Sequence, residues 1–143
     1  MTLYLDASVL IPLFIAEART DEAQTALFGQ VLIVSDLAIV ETSSGVARRA
    51  RMGDISQSEA ATVVVSLDIW VTSSAQREIL APGDVRTALS LVRRTDLGLR
   101  APDAMNIAIA LRRSAALFTF DFKMAEAART LGLEVIGMEA RSA

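Results

Sequence analysis

Short apolar runs alternate with longer amphipathic segments along the chain, and this alternation predicts strands separated by helices. The predicted strands are Thr2 to Leu5, Val31 to Ser35, Ala116 to Phe120 and Glu134 to Ile136, with a weaker candidate at Ile69 to Thr72. Strands joined by helices form right-handed crossovers and a mostly parallel sheet. We therefore predict an α/β fold: a three-layer α/β/α sandwich with a mostly parallel central sheet, formed by residues 1–143 as a single domain.

Helix boundaries are indicated by capping residues, glycines and prolines. Ser56 and Glu59 form a capping-box pattern, Gly53 and Gly132 are typical stop residues, and Pro102 suits a first helical turn. A turn is expected at Pro82-Gly83-Asp84. The predicted helices are Ala7 to Ile15, Thr20 to about Phe28, Leu37 to Met52, Ser56 through Val65, the segment from Asp84 to about Thr95, Pro102 to Arg113 and Phe122 to Leu131.

The chain contains no histidine and no cysteine. This excludes Ser-His-Asp hydrolysis, thiol nucleophiles, disulfides and zinc sites built from imidazole or thiolate. Catalysis would have to use carboxylates, hydroxyls, amides, arginines, the single lysine or the single tyrosine. Metals that fit oxygen ligands alone are hard cations such as Mg²⁺ and Mn²⁺.

Four acids follow or flank the predicted strands in positions that bring them together. Asp6 and Asp121 each come directly after a strand, at the carboxyl edge of the sheet, where ligands bind in such folds. Asp103 lies in the first turn of a helix, and Glu41 lies about one and a half turns into another. We expect the four carboxylates to converge into one divalent-metal site.

Each acid also has an ordinary structural explanation. Asp6 and Asp121 precede helices and would serve as N-caps, Asp103 would complement a helix dipole, and Glu41 would be a solvated helix residue. Glu41 and Asp103 nevertheless lie in apolar segments, where a charge is usually paired or bound to metal. Position alone nominates Asp36 before Glu41, although Asp36 is itself a good N-cap candidate.

Four segments carry a resemblance to PIN-domain proteins, and in particular to the VapC-type toxins of bacterial toxin–antitoxin pairs. They are Tyr4 to Leu10, Ser35 to Glu41, Leu99 to Ala104 and Phe118 to Asp121. The resemblance extends over nearly the whole chain. It implies that Glu41 is the second acid of the site and leaves Asp36 as a helix cap. It further implies that Ser8 and Thr119 are hydroxyls close to the site, and that Asn106 stands where many relatives have histidine. Asn106 lies one turn after Asp103 on the same helix face, which puts the rim of the site within its reach.

The resemblance implies an Mg²⁺- or Mn²⁺-dependent endoribonuclease whose metal ligands and catalytic residues are Asp6, Glu41, Asp103 and Asp121. It also implies a small antitoxin partner and, together with the apolar helices Val9 to Ile15 and Val40 to Val46, a homodimer. A catalytically inert module that binds RNA or a protein partner is the main alternative. An aspartyl phosphotransfer domain is disfavoured, because Asp6-Ala7-Ser8 lacks the second aspartate of an Asp-x-Asp motif.

Charge and hydropathy bear on the partners. The net charge is −3 and the four acids contribute −4, so the remainder of the chain carries +1. Divalent cations bound to the four acids would therefore make the charge of the chain compatible with RNA binding. Arginines cluster at positions 48, 49 and 51, at 93 and 94, and at 112 and 113, where solvated helix ends are the ordinary explanation. The N-terminal segment has neither a basic start nor a membrane-length apolar run, so we expect no membrane association and a cytoplasmic protein.

Overall fold

Residues 1–140, which the computed structural model describes, contain five strands and seven helices. The strands are β1 (Thr2–Leu5), β2 (Val31–Ser35), β3 (Gln76–Glu78), β4 (Ala116–Phe118) and β5 (Val135–Ile136). The helices are α1 (Ala7–Phe14), α2 (Thr20–Leu27), α3 (Asp36–Arg51), α4 (Gln57–Ser74), α5 (Pro82–Arg93), α6 (Ala101–Arg112) and α7 (Phe122–Thr130).

The five strands form one sheet in the order β3-β2-β1-β4-β5, and every neighbouring pair is parallel. β1 is the central strand, and its Tyr4 lies between Ile33 of β2 and Leu117 of β4. Because the strands are parallel, the carboxyl ends of β1, β2 and β4 meet at one edge. This topology brings Asp6 next to the segment that follows β4, more than a hundred residues later in the chain.

Each face of the sheet is covered by helices, which confirms the predicted three-layer sandwich. Leu3 and Leu5 of β1 pack on one side with residues of α1 to α4, and Tyr4 packs on the other with residues of α5, α6 and α7. Successive side chains of a strand point to opposite faces, so an apolar β1 covered on both faces is the expected result. Each fully buried leucine contributes about 2 kcal/mol to the stability of the fold.

The predicted strand at Ile69 to Thr72 is wrong. These residues belong to α4, which continues to Ser74 and not to Val65. The capping box at Ser56 starts this helix, and no glycine or proline follows before residue 76 to end it. Leu67 and Val71 are one helical turn apart and are both buried in the core. The missing strand is β3, whose Gln-Arg-Glu sequence gives no apolar signal.

Two further boundaries differ from prediction. β4 ends at Phe118, so Asp121 lies three residues beyond the strand instead of directly after it. Pro82 opens α5 itself and does not form a preceding turn, which agrees with the preference of proline for a first helical position. Gly53 and Gly132 adopt positive φ angles of 80° and 86° just beyond α3 and α7, as predicted for stop residues. Among residues 1–140, no helix combines the length and hydropathy needed to cross a membrane.

Candidate active site

Asp6 is buried at the carboxyl end of β1, and hydroxyl groups occupy both of its oxygens. Ser8 Oγ donates to Oδ1 at 2.6 Å, and Thr119 Oγ1 donates to Oδ2 at 2.8 Å. The Asp6 side chain does not cap α1, although Asp6 stands at the N-cap position. The N-cap explanation of this carboxylate is therefore wrong. Ser8 and Thr119, predicted to lie close to the site, both hold Asp6.

Ser8 and Thr119 also fix the loop that follows β4. The Phe120 backbone N–H donates to Ser8 Oγ at 2.8 Å, and the Asp121 N–H donates to Thr119 Oγ1 at 3.0 Å. The two hydroxyls lie 3.2 Å apart. Hydrogen bonds through Ser8 and Thr119 thus hold the segment that carries Asp121 against the end of β1.

The environment of Asp6 makes its charge costly. Burial, with a contribution from the negative charge of Asp121, raises the pKa of Asp6 to about 6, against hydrogen bonds from Ser8 and Thr119 that favour the ionised form. A cation at this position would relieve both the burial and the repulsion. Among the groups at this edge, Asp6 has the strongest electrostatic reason to bind one.

Asp121 is the N-cap of α7, which confirms the ordinary structural explanation given for this acid. Its Oδ1 accepts a hydrogen bond from the Met124 N–H of α7 at 2.9 Å. Capping uses one carboxylate oxygen and leaves Oδ2 available. Asp121 and Asp103 line the same cavity, of about 450 Å³, together with Gly98, Arg100, Phe122 and Lys123.

Asp103 lies in the first turn of α6, where Pro102 starts the helix well. Its side chain is 20% exposed, and Arg100 lies 3.8 Å away on a side chain that is 84% exposed, so this ion pair is weak. Burial raises the pKa of Asp103, and the charge of Asp121 adds to this effect. Asp103 therefore lies within electrostatic range of Asp121, as Asp6 does.

Glu41 reaches the same edge of the sheet from α3. It is half-buried, and burial raises its pKa, as does the charge of Asp103, while a hydrogen bond from Asn106 opposes the shift. Glu41 and Asp103 line a second cavity, of about 500 Å³. Arg48, Arg51 and Arg100 also line it, so two arginines of the α3 cluster face the candidate site and are not merely solvated helix ends.

Three of the other clustered arginines bind acids elsewhere. Arg49 pairs with Glu17 on the surface. Arg112 donates two hydrogen bonds to the buried Asp84, at 2.8 and 2.9 Å, and Arg113 pairs with Glu78 of β3. These latter pairs attach the edge strand and α5 to the end of α6. Their role is in the fold.

Asn106 is not at the rim of the site, where sequence position placed it. It is 2% exposed, and its Nδ2 donates to Glu41 Oε1 at 2.7 Å and to the Pro102 carbonyl at 2.9 Å. Its Oδ1 accepts from the Tyr4 hydroxyl at 2.5 Å. The involvement of Tyr4 was missed, although a lone tyrosine in a fully buried central strand must find a hydrogen-bond partner.

Asp36 does not cap α3, contrary to prediction. Ser35 is the N-cap, and its Oγ accepts from the Ala38 N–H at 3.0 Å. Asp36 occupies the first helical position and pairs with Arg77 of β3 at 2.6 Å. Its partner is thus an arginine of the edge strand, whereas Glu41 is coupled to Asp103.

The four acids are brought to one edge of the sheet but not into a closed cluster. Electrostatic coupling runs from Asp6 to Asp121, from Asp121 to Asp103 and from Asp103 to Glu41. Within residues 1–140, however, no three acidic side chains lie close enough together to hold a metal ion as they stand. Unneutralised carboxylates repel one another, which favours such separation. The donors are all oxygens, which suits Mg²⁺ or Mn²⁺.

The sequence model of the PIN domain matches residues 3–130. The chain therefore belongs to the PIN domain family, as the resemblance predicted. Among individual proteins, it is similar to Ribonuclease VapC3 of Pyrobaculum aerophilum, with 28% identity over 127 residues that cover 88% of this chain and 94% of the relative.

Solved structures share the fold. The chain superposes with a TM-score of 0.71 on VapC20 of Mycobacterium tuberculosis, described as a sarcin-ricin loop cleaving toxin, at 19% identity and with coverage of 87% and 94% of the two chains. A TM-score of 0.71 also relates it to VapBC2 of Rickettsia felis, bound to a DNA fragment from its promoter, at 14% identity and with coverage of 97% and 100%. At these identities the likeness establishes the fold, a parallel five-stranded sheet between helices.

Proposed function

We propose that this protein is a divalent-metal-dependent endoribonuclease and the toxin of a type II toxin–antitoxin pair. The observation that carries the proposal is the electrostatic coupling of Asp6, Asp121, Asp103 and Glu41 at the carboxyl edge of the sheet. Membership of the PIN domain family and similarity to a protein named Ribonuclease VapC3 support it.

The chemistry follows from the side chains at this edge. Asp6, Glu41, Asp103 and Asp121 would hold Mg²⁺ or Mn²⁺, which when bound supplies a water of lowered pKa for attack on a phosphodiester. Ser8 and Thr119 orient the Asp6 carboxylate through its two hydrogen bonds. Because no three acids of residues 1–140 lie close enough together to hold an ion, ion binding is expected to draw these carboxylates closer together.

Arginines beside Glu41 and Asp103 supply positive charge for the substrate. Arg48 and Arg51 are exposed, and neither forms an ion pair within residues 1–140. Guanidinium groups bind phosphate oxygens with paired hydrogen bonds. We propose that Arg48 and Arg51 bind the RNA backbone on either side of the scissile bond. Their positive charge would offset the net charge of −3, which otherwise opposes RNA binding.

Cleavage of RNA by the purified chain tests the proposal. Labelled RNA should be cut with Mg²⁺ or Mn²⁺, and EDTA should stop the reaction. Asp103→Asn is expected to lower the rate at least about 100-fold, since it removes a carboxylate from the site. Asp36→Asn is the matched control, because it makes the same chemical change in an acid paired with Arg77. Equal rates for Asp103→Asn and wild type would refute the assignment.

The alternative is a catalytically inert PIN module that binds RNA or a protein. The absence of any three-acid cluster within residues 1–140 favours this alternative. Calorimetric titration with Mn²⁺ separates the two, because the nuclease should bind the ion and the inert module should not. No heat of binding up to millimolar Mn²⁺ would support the inert module.

Partners belong to the same proposal. Description of the Rickettsia felis pair as VapBC2 supports a small antitoxin for this chain as well. The basis for a homodimer is narrower than the sequence indicated, since Val9, Leu10 and Val46 are buried in the core of this chain, whereas Val40 is 65% exposed. Light scattering at micromolar concentration tests the homodimer. The family match over residues 3–130 supports a single PIN-like domain.

A further inference from the structure

A continuous line of hydrogen bonds runs through the interior and connects two positions of α3. It begins at the N-terminus of that helix, where the Ala38 N–H donates to Ser35 Oγ. Ser35 Oγ lies 2.6 Å from the Tyr4 hydroxyl, which in turn donates to Asn106 Oδ1 at 2.5 Å. The line ends where Asn106 Nδ2 donates to Glu41 Oε1 at 2.7 Å.

The direction of every hydrogen in this line is determined. Tyr4 has a single hydroxyl hydrogen, which it gives to Asn106, so Ser35 must donate to Tyr4. The Asn106 amide has one possible orientation, since its Nδ2 faces two acceptors, Glu41 Oε1 and the Pro102 carbonyl. A flipped amide would place Oδ1 against both acceptors and would lose those two bonds, keeping only one donated by Nδ2 to the Tyr4 hydroxyl.

We propose that Asn106 is a positioning residue that holds the Glu41 carboxylate for metal binding, with Tyr4 fixing the orientation of the Asn106 amide. This inference rests on the proposed function of the site. Asn106 is 2% exposed and neutral, so it acts through Glu41 and not on the substrate. Asn106 donates its hydrogen bond to Glu41 Oε1, and this bond fixes the direction in which Oε2 points.

The placement of Glu41 explains why it needs such a partner. Glutamate has several rotatable bonds, and ordering a side chain of this kind costs conformational entropy. Asp6 receives two side-chain hydroxyls and Asp121 binds the N-terminus of α7, whereas Glu41 has only Asn106 as a hydrogen-bond partner within residues 1–140. Partners of this kind typically change metal affinity 10- to 100-fold when removed.

A double-mutant cycle on Mn²⁺ affinity tests the proposal. The full chain, Asn106→Ala, Glu41→Gln and the double variant are titrated with Mn²⁺ by calorimetry, and circular dichroism checks that each is folded. Asn106→Ala should weaken binding by about 10-fold or more. In the Glu41→Gln background the same change should cost less than about twofold, because the carboxylate that Asn106 positions is already gone.

Two further variants separate positioning from packing. Tyr4→Phe removes only the hydroxyl that orients the amide, so it should also weaken Mn²⁺ binding in the wild-type background and not in Glu41→Gln. It carries the test if Asn106→Ala fails to fold. Thr42→Val is the matched control, because Thr42 is fully buried beside Glu41 on α3 and its Oγ1 has no partner within residues 1–140. It should bind Mn²⁺ like wild type.

Each outcome decides the proposal. An equal loss of affinity in both backgrounds would mean that Asn106 acts through the fold alone, and wild-type affinity in Asn106→Ala would mean that it has no role; both results overturn the inference. Wild-type protein that binds no Mn²⁺ would overturn it together with the metal dependence. RNA cleavage is measured in parallel. If the protein binds Mn²⁺ but does not cut RNA, the proposed function is refuted, and the double-mutant cycle still tests the role of Asn106.

Discussion

Replacing Asp6 with asparagine should stabilise the metal-free protein at neutral pH. Asp6 is 5% exposed and close enough to Asp121 to be repelled by it, so its charge has a cost that no cation offsets in the absence of metal. Asparagine has nearly the same shape and removes the charge. The same change should abolish RNA cleavage, because the proposed metal site loses a carboxylate.

The magnitude follows from the pKa of Asp6. Its rise from an ordinary value of 3.8 to about 6 corresponds to about 3 kcal/mol, since each pH unit is worth about 1.4 kcal/mol. The folded chain binds this proton more tightly than the unfolded chain. Its contribution to stability is therefore complete below about pH 4 and is lost as the pH rises through about 6. Asparagine cannot accept both hydroxyl hydrogen bonds, which costs about 1 kcal/mol. We expect a net gain of about 2 kcal/mol at pH 7.5.

Thermal or urea unfolding in EDTA measures this gain. At pH 7.5 the Asp6→Asn variant should melt about 5 °C above wild type. At pH 4 this gain should be lost and the variant should melt slightly below wild type, because the electrostatic cost has gone and the missing hydrogen bond remains. Asp68→Asn is the matched control, because Asp68 is exposed on α4 and should shift stability by less than about 0.5 kcal/mol. Mn²⁺ should stabilise wild type and not Asp6→Asn. A variant no more stable than wild type at pH 7.5 would refute the cost assigned to the buried charge.

Substitutions at three other residues test the fold and the attachment of the site to it. Asp121→Ala should destabilise the chain by about 1 kcal/mol in urea by removing the cap on Met124, whereas Asp121→Ser should keep the cap. Both should stop cleavage, and an active serine variant would contradict the role of the carboxylate. Arg112→Ala leaves Asp84 buried without its main partner and should cost about 3 kcal/mol; a loss under 1 kcal/mol would contradict this. Gly137→Ala should cost more than about 1 kcal/mol and slow cleavage, since Gly137 has φ of 95° and an added Cβ would lie 2.7 Å from the Thr119 carbonyl oxygen. Wild-type melting of that variant would show that the loop adjusts freely.

The sequence predicted those parts of the fold that local physics determines. β1 and β2 are apolar because both faces of the sheet are covered, and they were predicted at their observed bounds. β3 was missed because its polar residues become a strand only by pairing with β2, through Ile33 beside Gln76. That pairing is a tertiary effect, and intrinsic strand preferences are weak compared with it.

Within the site, positions along the chain were predictable and contacts were not. Asp6 was correctly placed at a strand end, and the alternative explanation that it caps α1 was wrong, because hydroxyls from Ser8 and Thr119 hold the carboxylate. The bond between Asn106 and Glu41 joins residues that are 65 apart, and no periodicity encodes such a pair. α3 begins at Asp36, one residue before the predicted start, so Ser35 and not Asp36 is its N-cap.

The central position of β1 has a consequence for how the protein is made. Residues near the start of the chain are completed by partners near its end: the bond from Thr119 to Asp6 spans 113 residues. Contacts so distant in sequence form late and slowly, because closing a long loop costs chain entropy before the contact repays it. A chain still emerging from the ribosome holds Asp6 and Glu41 without Thr119 or Asp121. Until synthesis has passed Asp121, the candidate site at this edge of the sheet is therefore incomplete.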